Sequence, residues 1–332
     1  MSSPTFAITL KSGKTFACNP GEPVLAAALR NNISLPHSCR SGTCGTCAAP
    51  IVVGSAYRVS SSDNLENAKA DDTVLTCCYA PASNLDLDIS EVENPSGASP
   101  SIIPCRVSSI VQLANDVLEV TLRTPPGKAL NFTAGQHLQV IGPTGVRRSY
   151  SLAHRPRQDS SLSLHIKKYE NGLMSDYWFN RASSNDLLRL EGPFGTFFHQ
   201  RKEKGKLIML ATGTGIAPII AIYEELLHTD EFSNYDSVSI YWGMRRFDDH
   251  YWKPQGDQPD NFFFRPVASS EGVRGVNRGY VQDIALAELK HANDIVVYAC
   301  GSTLMIEDAR ESLTRAGMDP AHFFQDAFVK SS

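Results

Sequence analysis

The sequence predicts a multidomain chain: a small β-grasp unit over residues 1–92, an antiparallel β-barrel over 102–202, and an α/β unit with a parallel sheet over 203–332. Three observations predict it. The first stretch reads strand, strand, helix, loop and further strands. The middle stretch is a series of short strand-like runs bounded by Gly, Pro and Asn, the pattern of a barrel. The last alternates apolar strands with helices, the pattern of a parallel sheet with helices on both faces. Between the first two lies residues 93–101, Glu93-Asn94-Pro95-Ser96-Gly97-Ala98-Ser99-Pro100-Ser101, poor in apolar residues and rich in Pro, Gly and Ser. That composition marks a linker, read equally as a flexible joint or a plain spacer.

The chain of 332 residues is long enough for two domains, with three smaller ones allowed. A formal net charge of -4 argues against a nucleic-acid binder, which shows a basic face or stripe. The N-terminal residues Met1 to Phe6 alternate towards a strand and lack a basic region followed by an apolar one. The longest uncharged run, Leu207 to Tyr223, contains Gly213, Gly215 and Pro218, and reads as strand, turn and buried helix rather than a membrane span. Eight cysteines without an export signal favour metal ligation and reduced thiols over a disulfide framework. The expectation is a cytoplasmic, monomeric protein with no membrane span and no nucleic-acid partner.

In the first unit, Thr5–Leu10 and Lys14–Cys18 alternate around Ser12-Gly13, a hairpin signal. Glu22 to Arg30 carries Ala and Leu at helical spacing, with Pro23 in a tolerated first-turn position. Short strands are expected at Pro50–Val53 and Leu85–Ile89. Between helix and strands stand Cys39, Cys44 and Cys47 in a C-x4-C-x2-C loop, with another thiol at Cys77 or Cys78. This is the plant-type spacing for a [2Fe-2S] cluster, which needs four thiolates. Structural zinc sites come as paired C-x2-C knuckles, and only Cys44 and Cys47 form such a pair. Ser41, Gly42, Thr43, Gly45 and Thr46 are small enough for the backbone to wrap closely around sulfur. The stretch Ser38 to Cys47, with Leu75-Thr76-Cys77, resembles plant-type ferredoxins. That resemblance implies Cys39, Cys44, Cys47 and Cys77 as metal ligands and leaves Cys78 a spare thiol.

In the barrel, strands are expected at Ile102–Ile110, Val117–Leu122, His137–Ile141, Tyr150–Leu152 and Leu162–Lys167. Arg147-Arg148-Ser149-Tyr150-Ser151 offers a guanidinium fork suited to a pyrophosphate, an aromatic ring to cover a flavin face, and hydroxyls for its nitrogens. Gly172-Leu173-Met174-Ser175 opens a helical segment whose free N–H groups can receive phosphate oxygens. Together with Glu191-Gly192-Pro193-Phe194-Gly195, the set resembles the flavin domain of the ferredoxin–NADP reductase superfamily. The resemblance implies FAD, with Arg148 on the pyrophosphate, Tyr150 against the ring system and Ser151 near its reactive nitrogen. Ser149, Gly172, Met174 and Ser175 complete the implied binding set. His165, Lys167 and Lys168 either line the nucleotide or form a solvated strand edge.

In the α/β unit, strands are expected at Lys206–Ala211, Val238–Trp242, Phe262–Val267 and Asp294–Ala299, and helices at Ile216–Leu227, Val281–Leu289 and Leu304–Ala316. Thr212-Gly213-Thr214-Gly215 lies between the first strand and the first helix, the geometry that sets a pyrophosphate against a helix N-terminus. Cys300-Gly301 ends a strand where ligands of such sheets bind, though a buried free cysteine reads equally well from the residues alone. The superfamily resemblance implies a nicotinamide-site role for Cys300 and Gly301. It likewise implies that Phe328 shields the flavin and Asp326 supports the hydride-transfer site, with Asp326 in place of the commoner Glu. Ser270-Glu271 falls where NADP-using relatives carry Ser-Arg, and a carboxylate there favours a free ribose hydroxyl over a phosphate. The expected coenzyme is NADH, with Arg245, Arg246, Arg274 and Arg278 near enough in sequence to compensate.

Nicotinamide delivers electrons in pairs and a [2Fe-2S] cluster passes them singly, so a flavin between them converts one to the other. Plant-type clusters, at about -400 mV, are strong one-electron reductants. The order ferredoxin, flavin domain, nicotinamide domain resembles the reductase family that serves bacterial oxygenases. Pro104-Cys105, Arg147 to Ser151, Gly192 to Phe198, Tyr241-Trp242-Gly243-Met244 and Asp326-Ala327-Phe328-Val329 bring it nearer to the reductases of 3,6-dideoxysugar biosynthesis. The resemblance implies an NADH-dependent oxidoreductase whose partner is a separate electron-acceptor protein, a dehydrase or an oxygenase component.

Overall fold

The computed structural model describes residues 5–59, 67–200, 205–270, 277–289 and 291–328. Glu271, Arg274 and Val329, singled out above, lie outside the described residues, as does the 202/203 boundary. The chain divides into two compact units, Met1–Pro100 with Phe194–Thr196, and Ser101–Pro193 with Phe197–Ser332.

In the first unit, β1 (Phe6–Leu10) and β2 (Thr15–Cys18) form the expected antiparallel hairpin. The helix α1 (Val24–Arg30) buries Val24, Leu25, Ala27 and Ala28. Pro23 sits one residue before the helix, at the cap, rather than inside its first turn. β3 (Ala48–Val53), β4 (Ser55–Arg58), β5 (Asn67–Lys69), β6 (Thr73–Leu75), β7 (Tyr79–Pro81) and β8 (Leu85–Leu87) follow. A five-stranded sheet runs β2-β1-β8-β3-β6, and a smaller one runs β5-β4-β7. β1 and β8 are parallel, with Ile8 opposite Leu85, and that central parallel pair beside a crossing helix is the β-grasp arrangement. Leu25 of the helix and Ile8, Leu35, Ile51, Leu85 and Leu87 are fully buried in one core, each contributing roughly 1.5–3 kcal/mol. In residues 93–100 the Asn94 side chain accepts from the Ser96 N–H and hydroxyl, and the Ser99 hydroxyl donates to Asn32 at 2.6 Å.

The second unit begins with a six-stranded antiparallel sheet: β9 (Ser101–Ala114), β10 (Val117–Arg123), β11 (His137–Ile141), β12 (Arg147–Ser151), β13 (Ser161–Lys167) and β14 (Leu187–Phe194). Its order is β12-β11-β14-β9-β10-β13, and an antiparallel bridge from Leu152 to Leu164 joins the two edges, closing a barrel. Alternation puts Val120, Leu122, Leu138, Val140, Leu164 and Leu190 inside. α2 (Leu173–Asp176) runs straight on into a π-helical turn, Tyr177–Arg181, whose Tyr177 and Trp178 pack against that core.

The unit continues through β15 (Lys206–Thr212), α3 (Ile216–Thr229), β16 (Ser237–Met244), β17 (Phe262–Ala268), β18 (Asn277–Arg278), α4 (Val281–Glu288), β19 (Ile295–Gly301), α5 (Thr303–Arg315) and β20 (Phe323–Ala327). Every pairing in the order β18-β17-β16-β15-β19-β20 is parallel. Leu207, Met209, Val238, Ile240 and Trp242 face α3 in one core. The alternate residues point the other way, where the Tyr241 hydroxyl donates to Glu288 of α4 at 2.8 Å. Helices therefore cover both faces, as expected. Among the described residues, no helix is long and apolar enough to cross a membrane.

Candidate cofactor-binding sites

In the first unit, the thiols gather in twos. Cys47 Sγ lies 3.3 Å from Cys77 Sγ, while the Ser41 and Cys44 N–H groups each point at Cys39 Sγ from 3.4 Å. Two thiolates on one tetrahedral iron at a bond length of about 2.3 Å stand about 3.8 Å apart, so the Cys47–Cys77 separation suits a shared iron. The Cys44 thiol, and after it the Ser41 hydroxyl and neighbouring amides, hold the Cys39 thiol well below its usual range. The Cys77 thiol does the same for Cys47. Paired thiols fit a two-iron cluster better than one zinc ion.

The loop can take this shape because Gly42 and Gly45 have φ of +77° and +73°, and Arg40 shares the left-handed region. Thr46 Oγ1 is buried between two of the cysteines, its side chain against the Cys44 thiol. The same unit holds Phe194–Thr196. There the Gly195 N–H donates to His37 Nε2 at 3.0 Å, and the Arg40 guanidinium lies 4.0 Å from the centre of the Phe194 ring. His37 Nδ1, 2.7 Å from the Leu35 carbonyl, is then the protonated nitrogen, and burial pushes its pKa down to about 4.

In the second unit, β12 presents Arg148, Ser149, Tyr150 and Ser151 on consecutive positions, with Arg147 paired to Glu191 of β14. Tyr150 and Trp178 are linked by a 3.0 Å hydrogen bond from the indole N–H to the phenol oxygen and an edge-on ring contact. That link ties the π-helical turn that follows α2 to β12. Burial, opposed by the Trp178 bond, raises the Tyr150 phenol to about 12, so it stays protonated. Gly172 is the residue before the helix, Met174 packs under the Gly142 turn, and Ser175 Oγ accepts from the Tyr169 N–H at 2.9 Å. A methyl group on Gly142 would lie 2.5 Å from the Met174 sulfur. His165, proposed above as a nucleotide contact, packs edge-on against Tyr251, its Nδ1 at 3.3 Å from the hydroxyl. Lys167 pairs with Asp116 at 2.6 Å, and Lys168 lies over the Phe179 ring.

The residues expected to seat the nicotinamide converge at the carboxyl ends of β15 and β19. Thr212 ends β15, Gly213–Gly215 form a single 3₁₀ turn including Thr214, and α3 starts at once. A methyl group on Gly215 would meet the Cys300 carbonyl oxygen at 2.3 Å, and one on Gly301 would meet Thr212 Oγ1 at 2.1 Å. Only glycine permits these strand ends to approach so closely. Thr212 Oγ1 accepts from the Ser302 N–H at 3.0 Å, and the Trp242 indole donates to the Gly213 carbonyl at 2.9 Å. Cys300 is fully buried; burial, then the charge of Asp326, pushes its thiol well up. Asp326 stands opposite Cys300 in the β19–β20 register, and the Phe328 N–H donates to the Gly301 carbonyl at 2.8 Å. Cys300, Gly301, Asp326 and Phe328 thus form one group. Ser270 is exposed, its N–H donating to the Arg245 carbonyl at 3.0 Å.

Sequence reasoning missed Trp178, Tyr251 and Glu224. Glu224, on α3, accepts from the Arg155 N–H at 3.1 Å and ties barrel to sheet, as Tyr251 does through His165. None carries a motif; each is found only once the elements meet.

Family models match in the same order along the chain: a 2Fe-2S iron-sulfur cluster binding domain at residues 8–82, an oxidoreductase FAD-binding domain at 104–199 and an oxidoreductase NAD-binding domain at 209–311. The CDP-6-deoxy-L-threo-D-glycero-4-hexulose-3-dehydrase reductase of Yersinia pestis is 34% identical over 96% of this chain and 97% of its own. The terephthalate 1,2-dioxygenase reductase component 1 of a Comamonas species is 29% identical over 95% of each chain. Among solved structures, the Amycolatopsis cytochrome P450 reductase GcoB superposes with a TM-score of 0.76 at 26% identity, covering 99% of this chain and 100% of that one. With cluster, FAD and NAD domains in one chain, this protein is an NAD(P)H-dependent oxidoreductase and belongs to the ferredoxin–NAD(P) reductase superfamily, among its three-domain iron–sulfur flavoproteins.

Proposed function

We propose that this chain takes electrons from NADH and passes them through FAD and the [2Fe-2S] cluster to a separate acceptor, CDP-6-deoxy-L-threo-D-glycero-4-hexulose-3-dehydrase, in the cytoplasm. The support for that acceptor is the 34% identity to its reductase along nearly the whole of both chains. Bound FAD supplies the conversion between paired and single electrons.

The chain's own residues would act as follows. Cys39, Cys44, Cys47 and Cys77 hold the irons. Arg148 and the amides of Gly172 to Ser175 take the FAD pyrophosphate, while Tyr150, Ser149 and Ser151 orient its ring. Thr212 to Gly215 receive the coenzyme pyrophosphate at the start of α3. Cys300 and Gly301 seat the nicotinamide, and Cys300 does so as a neutral thiol because burial disfavours its thiolate. Asp326 would support the hydride-transfer site and Phe328 would shield the flavin.

Purified holoprotein should lose flavin and cluster absorbance when NADH is added without oxygen. The acceptor is tested by supplying the purified dehydrase with its sugar nucleotide and following NADH consumption; no dehydrase-dependent turnover refutes it. A second reading, a reductase component of a multicomponent oxygenase, draws on the 29% identity to the terephthalate dioxygenase reductase. Turnover with an oxygenase component in the same assay would favour it. The NADH preference, argued from Ser270-Glu271, fails if kcat/KM is higher with NADPH.

A further inference from the structure

Cys78 is not used by the function above, yet it stands among the cluster thiols. Its Sγ lies 3.5 Å from Cys77 Sγ, close to the spacing of two thiolates on one iron. The two cysteines share a tight turn closed by the Cys78 N–H donating to the Leu75 carbonyl at 2.8 Å, which keeps consecutive side chains on the cluster side. The opposite wall makes room for it. A methyl group on Gly42 would lie 2.6 Å from Cys78 Sγ, so the loop that carries Cys39 and Cys44 is cut away where this sulfur sits.

We propose that Cys78 is an interchangeable donor for the fourth cluster position: when the Cys77 sulfur is lost, the Cys78 thiolate takes its place on the same iron. The inference rests on reading Cys39, Cys44, Cys47 and Cys77 as the resident ligands. The exchange is a ligand substitution with no change of oxidation state. The Cys77 sulfur–iron bond breaks as the Cys78 sulfur–iron bond forms, and the proton leaving the Cys78 thiol is balanced by one taken up at the departing Cys77 sulfur.

The test uses the full chain, loaded with FAD and reconstituted with ferrous iron and sulfide. Wild type, Cys77→Ala, Cys78→Ala and the double variant are compared by iron and sulfide content, visible absorbance and the electron paramagnetic resonance of the dithionite-reduced protein. Cys78→Ala should match wild type. Cys77→Ala should keep most of its iron with shifted g values, and the double variant should lose it. Loss of iron from Cys77→Ala as complete as from the double variant overturns the proposal. Should Cys77→Ala fail to fold, Cys77→Ser replaces it: its spectrum should change on adding Cys78→Ala, and identical spectra overturn the idea. Wild-type protein that takes up no cluster would instead overturn the ligand reading beneath it.

Discussion

Replacing Gly215 with alanine adds one methyl group at the point where the Gly-rich turn touches β19. The backbone there has φ of -60°, so alanine adopts it without strain. The steric cost is different. The new carbon would lie 2.3 Å from the Cys300 carbonyl oxygen, 2.7 Å from its carbon and 2.9 Å from Gly301 Cα, all backbone, whereas ordinary contact begins near 3.4 Å. Turn and strand must therefore part by about 1.1 Å. Overpacking of this kind costs about 1–3 kcal/mol. For a unit of this size that lowers Tm by about 2–12 °C. Displacing the coenzyme cradle by about 1 Å is expected to slow flavin reduction by up to about a hundredfold. Anaerobic stopped-flow bleaching of the flavin by NADH reads the rate, and FAD and iron content verify the other centres. Gly256→Ala is the control: it has φ of +73° but nothing within 4 Å and lies outside the proposed sites, so its cost is about 1–2 kcal/mol of backbone strain without a displaced strand. Gly215→Ala at the wild-type rate, or no slower than Gly256→Ala, would refute the reasoning.

Tyr150→Phe leaves the buried Trp178 indole N–H without its acceptor, which should cost about 1–3 kcal/mol and show as a lower Tm and a higher FAD Kd. An unchanged affinity would remove Tyr150 from the flavin site. His154 is fully buried, accepts from the Ser163 N–H on Nε2, and is held by burial at about 4 against an ordinary 6.5. The unfolded chain then takes up its proton first as pH falls, so stability is full above about 6.5 and declines towards 4, by at most about 1.4 kcal/mol per pH unit. Urea midpoints between pH 7 and 4.5 should fall more steeply in wild type than in His154→Gln. Equal slopes would assign the acid sensitivity elsewhere, since burial lowers His37 and His165 in the same direction.

The local periodicities carried most of the architecture. The hairpin at Ser12-Gly13, His137–Ile141 and the apolar strands of the α/β sheet all lie where alternation or apolar runs predict them. β14 was not legible as a strand, because Gly192 and Pro193 interrupt its alternation. The structure places both at its end, past most of the pairing with β9, where a missing N–H costs little. β20 read only as a motif, and it takes a strand partner, β19, to set Asp326 across from Cys300. The cluster loop was the most legible site, since its spacing is local. The partners Trp178, Tyr251 and Glu224 were not, because each is chosen by a contact across elements with no regular sequence offset.

The parallel pairing of β1 with β8 sets an order of events during synthesis. Ile8 pairs with Phe16 in the hairpin but has no neighbour on its other side until Leu85 emerges, so the sheet's centre cannot close before every cysteine from Cys39 to Cys78 has been translated. Loop closure across that separation is slow relative to forming the local hairpin. The nascent chain thus offers its thiols to iron delivery before the sheet shuts around them. Metal loading and the pairing of the last strand can therefore proceed together.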